Sequence, residues 1–105
     1  MQIINQNIEA IKNLCVKYKV KELYAFGSVT DEKKFNEKSD VDLLVDFDKT
    51  KIPEQDFADY FFDLADGLEK IFQRRVDLMT MKSLKNKFFI QSVNNNKQQI
   101  GRAHV

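Results

Sequence analysis

Apolar residues recur at three- and four-residue spacing at Ile4, Ile8, Ile11, Cys15 and Tyr18, which predicts one buried stripe along a helix from about Ile3 to Lys19. The pattern then tightens. Leu23, Tyr24, Ala25 and Phe26 form a compact apolar run that stops at Gly27, so a short strand over Glu22 to Phe26 should deliver Gly27 and Ser28 at its end. Val29 to Lys38 is polar and mostly charged, which suits a turn of helix and a loop.

Alternation with period two returns at Asp40 to Phe47: Val41, Leu43 and Val45 belong on one face of a strand, and Asp40, Asp42 and Leu44 on the other. Pro53 opens the next segment at a position a first helical turn accepts, and Phe57, Tyr60, Phe61, Leu64, Leu68 and Ile71 mark a long amphipathic helix containing Gly67. A third strand, Arg75 to Met81, alternates Val76, Leu78 and Thr80 against Arg75, Asp77 and Met79, and a last helix begins near Ser83 with Leu84, Phe88 and Val93 on its apolar face. The expected class is therefore α/β (α+β), in the order αβ(α)βαβα, with a small mixed sheet flanked by helices. Residues 1–98 read as one domain and 99–105 as a flexible, polar tail.

Composition narrows what such a domain does. A chain of 105 residues with 43% hydrophobic and 31% charged residues suits one soluble domain with a modest core. Seventeen basic and sixteen acidic residues leave a net charge of +1, so no global field draws the chain to nucleic acid or membrane, and direct nucleic-acid binding is not expected. The single cysteine, Cys15, sits in the apolar stripe and reads as a buried thiol. No leader pattern and no run near the roughly 20 apolar residues of a membrane span is present, and a cytoplasmic location is expected. His104, the only histidine, lies in the unpatterned end, which argues against a Ser/His triad or a His-rich metal site.

The unusual feature is acidic. Two carboxylates at i and i+2 on a strand share a face, roughly 7 Å apart at Cα, and can converge on a hard divalent cation. Asp77 joins them if its strand pairs beside the second. Three such acids can hold two Mg²⁺ ions roughly 4 Å apart, the arrangement of metal-assisted phosphoryl chemistry. A glycine at a strand end lets backbone approach a phosphate, and Ser28 after it offers a hydroxyl and an N–H. The plainer alternatives are solvated acids on an exposed edge for Asp40 and Asp42, a surface salt bridge to Arg74 or Arg75 for Asp77, and capping roles for Ser28 and Ser39. Asp46 and Asp48 read as solvated loop residues.

Gly27-Ser28, ten intervening residues and Ser39-Asp40-Val41-Asp42-Leu43-Leu44-Val45, followed by Arg74-Arg75-Val76-Asp77-Leu78, resemble the signature of the polymerase-beta-like nucleotidyltransferase superfamily, particularly its minimal nucleotidyltransferases. The resemblance implies a nucleotidyltransferase fold in which Gly27, Ser28 and Ser39 contact the nucleotide and Asp40, Asp42 and Asp77 bind two Mg²⁺ ions, with ATP as donor. Asp77 would be the general base or the ligand of the metal that activates the acceptor. Family members of this size resemble the antitoxin half of toxin–antitoxin pairs, whose partner is a HEPN-domain toxin adenylylated on a tyrosine. Larger nucleotidyltransferases carry a second domain for the acceptor, so recognition here is expected from a partner or another copy in a homo-oligomer.

Many minimal members carry an arginine soon after the Gly-Ser pair, where Val29 to Lys34 has none and offers only Lys33 and Lys34. That absence supports a second reading, a non-catalytic binding module that neutralises a toxin by contact. A third is transfer to a nucleic acid or small molecule.

Overall fold

The computed structural model describes residues 2–27, 39–80 and 98–101. Two helices, α1 (Gln2–Gln6) and α2 (Ile8–Lys17), precede strands β1 (Val20–Phe26) and β2 (Val41–Phe47). A 3₁₀ turn (Glu54–Asp56) leads into α3 (Phe57–Phe72), followed by β3 (Val76–Thr80) and β4 (Gln98–Gly101). The expected short helix after β1 and the last helix from Ser83 fall outside the described residues.

The single helix expected over Ile3 to Lys19 is broken at Asn7. Its side-chain amide donates to the Ile3 carbonyl at 2.8 Å and its backbone N–H to the Ile4 carbonyl at 3.1 Å. An asparagine that bonds back to the preceding turn competes with the helical ladder and ends it locally. The second segment resumes from the Asn7 carbonyl, which accepts from the Ile11 N–H at 3.0 Å.

The four strands lie in the order β3-β2-β1-β4. Strand β1 runs antiparallel to both β2 and β4, while β2 and β3 are parallel, so the sheet is mixed as expected. The parallel step is made by α3, the crossover element a parallel pair requires. Ile11 and Cys15 of α2 and Leu64 and Leu68 of α3 pack with Leu23, Val41, Leu43 and Val45 in one core. Gly67 has a packing reason for its place within α3: a Cβ there would lie 3.0 Å from Leu14 Cδ1, so its absence lets α2 and α3 approach closely.

One boundary moves. The flexible tail expected from residue 99 begins instead with a strand: β4 pairs with the outer edge of β1, and Ile100 is buried. The signal was weak because only Ile100 among Gln98, Gln99, Ile100 and Gly101 carries a large apolar side chain. Backbone pairing to β1, a non-local interaction, creates the element.

Candidate active site

Strand β2 is interior, flanked by β1 and β3, so Asp42 does not lie on a sheet edge, whereas Asp40 precedes the strand. Alternation sends Val41, Leu43, Val45 and Phe47 into the helix-covered core. Leu44 is also buried, in a second cluster with Phe26 against which Tyr24 and Met79 pack. Asp42 therefore stands on a sheet face that is partly apolar.

Two registers converge on Asp42. In the antiparallel pair Phe26 lies opposite Asp42, and in the parallel pair Asp42 lies opposite Asp77. The first register brings the end of β1 against the carboxylate: Gly27 has φ +70°, and a Cβ on it would sit 2.5 Å from Asp42 Oδ2. The positive φ favours glycine, since the left-handed region disfavours side chains, and a Cβ would also displace the Asp42 carboxylate.

The second register sets two acids side by side. The Asp42 carboxyl is pushed up from 3.8 to about 6, first by burial, then by the charges of Asp77 and Asp40. Asp42 is half-buried, whereas Asp40, immediately before β2, and Asp77 are exposed. Like charges at such a site resist crowding, and among the described residues no three His, Cys, Asp or Glu side chains close into a metal-holding group. The register thus unites Asp42 with Asp77, with Asp40 close enough in charge to be felt.

Ser39 is half-buried, and its carbonyl accepts a hydrogen bond from Arg74 Nη1 at 3.1 Å. Next to it the Val41 N–H donates to the Arg75 carbonyl at 3.0 Å. Sequence position offers Arg74 as an ion-pair partner for Asp77; its reach to the Ser39 carbonyl depends on the pairing of β2 with β3. Ser28, Lys33 and Lys34 lie outside the described residues. Asp46, expected in a loop, belongs to β2 opposite Glu22, whose carboxylate accepts from the Tyr24 hydroxyl. Asp48 is a turn residue: its Oδ1 accepts from the Thr50 N–H at 3.1 Å and the Thr50 hydroxyl at 2.5 Å.

At Asp42, then, a glycine meets the carboxylate from one neighbouring strand and a second carboxylate lies in register on the other. The family described as Polymerase beta, Nucleotidyltransferase matches residues 9–103. The chain belongs to this nucleotidyltransferase family.

Among its relatives, a Methanocaldococcus jannaschii protein provisionally described as a protein adenylyltransferase is 36% identical over 92 residues, covering 88% of this chain and 85% of that protein. Another from the same organism, with the same provisional description, is 38% identical over 84 residues, 78% of each chain. A solved structure provisionally described as a minimal nucleotidyltransferase aligns over 92% of both chains with a TM-score of 0.66 and 26% identity. A toxin–antitoxin crystal structure with AMP-PNP aligns with a TM-score of 0.64 over 90% of this chain and 72% of that one; at 23% identity it shows a shared fold. A complex of a tri-AMPylated HEPN toxin with an MNT antitoxin from Shewanella oneidensis aligns likewise, at a TM-score of 0.60, 21% identity and 92% and 71% coverage. The nucleotidyltransferase therefore has the mixed-sheet fold that its sequence motifs implied. Among its described residues no helix is long and apolar enough to cross a membrane.

Proposed function

We propose that this nucleotidyltransferase transfers AMP from ATP to a hydroxyl of a protein partner, and that the partner is a HEPN-type toxin which the transfer silences. The observation that carries the reading is the double register at Asp42, with Gly27 on one side and Asp77 on the other. The provisional descriptions of the relatives as protein adenylyltransferases, and the toxin–antitoxin complexes among structures of the same fold, support the choice of donor and acceptor.

The residues fit divalent magnesium. Asp40, Asp42 and Asp77 offer hard oxygen donors, and the Asp42 carboxyl, pushed up first by burial and then by the charges of Asp77 and Asp40, is a position where a bound cation would favour the ionised form. When bound, two Mg²⁺ ions would supply charge neutralisation to the triphosphate and acidify the acceptor hydroxyl. The chain's own contribution is positional. Gly27 lets the end of β1 come close to Asp42, and Gly27, Ser28 and Ser39 would contact the nucleotide. In the transfer the acceptor oxygen forms a bond to the α-phosphorus, the bond from that phosphorus to the oxygen bridging the β-phosphate breaks, and pyrophosphate departs. The acceptor proton passes to a carboxylate oxygen of Asp77, the exposed acid of the paired strands.

One specific observation favours a second reading: Val29 to Lys34 lacks the arginine common after the Gly-Ser pair. The domain would then neutralise its partner by contact. Incubation of the purified domain with Mg²⁺, radiolabelled ATP and the protein encoded beside it, using wild type and Asp42→Asn, separates the two. Label on the partner with wild type alone is expected. A stable complex that never acquires label would move the assignment to the binding module.

A further inference from the structure

Two hydrogen bonds flank Asp40, one from the sheet and one from a side chain. The Val41 N–H donates to the Arg75 carbonyl at 3.0 Å, the first rung between the parallel strands. One residue before Asp40, beyond that rung, the Arg74 guanidinium reaches across and donates from Nη1 to the Ser39 carbonyl at 3.1 Å. Asp40 itself is exposed and precedes β2, so the ladder alone would leave it on a fraying end. The paired segments read Ser39-Asp40-Val41-Asp42 and Arg74-Arg75-Val76-Asp77, with Val41 opposite Val76 and Asp42 opposite Asp77. Arg74 thus extends the clamp past the last backbone bond and encloses Asp40 between two anchors.

We propose that Arg74 is a positioning residue of the nucleotide site, holding the Ser39–Asp40 backbone so that Asp40 stays aligned with Asp42 and Asp77. The inference rests on the nucleotidyl-transfer reading above. Arginine suits the task because its guanidinium is always charged and planar, and a charge-assisted bond to a carbonyl is stronger than a neutral one. Removing a group hydrogen-bonded directly to a metal ligand costs about 10- to 100-fold in metal affinity, and Arg74, which bonds the residue before Asp40, belongs at the lower end of that range.

The test uses the full chain and AMP-PNP with Mg²⁺, titrated calorimetrically into wild type, Arg74→Met, Arg74→Lys and Asp42→Asn. Melting temperature and amide exchange at Val41 are recorded on each protein. Arg74→Met should weaken Mg²⁺-dependent binding by about 10-fold. Its Val41 amide should exchange faster, because the terminal rung loses its neighbour, and Arg74→Lys should recover part of both effects. Binding that is unchanged in Arg74→Met while wild type binds and Asp42→Asn does not overturns the positioning role alone. So does a loss that tracks a fallen melting temperature in Arg74→Met and is equal in Arg74→Lys. Wild type that binds no nucleotide overturns the transfer reading, and the positioning role with it.

Discussion

Replacing Asp42 by asparagine should make the isolated domain more stable while removing its activity. The Asp42 carboxyl titrates at about 6 in the fold against an ordinary value of 3.8. Two pKa units correspond to about 3 kcal/mol of unfavourable ionisation. The side chain is only half-buried, so solvent screening reduces the effect to about 1 kcal/mol. The sign follows from proton linkage: between 3.8 and about 6 the folded state binds more protons than the unfolded chain, so the contribution to stability falls as pH rises through that window. It is fully lost above the folded value and fully restored below the unfolded one.

Asparagine keeps the shape and removes the charge. In chelator-treated protein at neutral pH, Asp42→Asn should therefore exceed wild type by about 1 kcal/mol, which for a domain of this size is a melting shift of about 4–8 °C. Urea unfolding across a pH series should show that gap closing as pH falls through 6 toward 3.8. Added Mg²⁺ should stabilise wild type and leave the variant unmoved. A variant no more stable than wild type at neutral pH, or a gap independent of pH, would refute the electrostatic account of Asp42.

Three further outcomes are expected. Gly27→Ala places a Cβ at a positive φ and 2.5 Å from Asp42 Oδ2, so it should cost about 1–3 kcal/mol in urea unfolding and abolish nucleotide binding; a wild-type isotherm would contradict the close approach. Cys15 is buried and its thiol is pushed up to about 11 by that burial, so thiol-specific alkylation at pH 8 should be slow in the folded protein and quick in urea. Ile100→Ala in β4 should lower stability by about 2–5 kcal/mol, as expected for a buried core side chain, whereas a truly loose tail would tolerate it.

Local pattern settled the elements, because helical and strand periodicity are properties of neighbouring residues. The stripe through Ile11 and Cys15, the alternation at Val41, Leu43 and Val45, and the amphipathic run through Leu64 and Leu68 all reappear as core. The Gly27-Ser28 and Asp40-Val41-Asp42 spacing resembles the family's signature on local sequence alone. Where local chemistry competes with periodicity the pattern misled, as at Asn7, whose side chain bonds back to Ile3 and splits the helix. Four residues containing one large apolar side chain gave no strand signal, and β4 exists because the edge of β1 offers it backbone partners.

The site depended on what no window of sequence contains. That β3 lies parallel to β2, with Asp77 opposite Asp42, follows from the α3 crossover and the packing of Val41 and Val76 in one core. That Gly27 presses on Asp42, and that Arg74 reaches the Ser39 carbonyl 35 residues away, are likewise consequences of register. The sequence alone determined which acids were available. Strand pairing, a non-local choice made by the whole core, decided which of them meet.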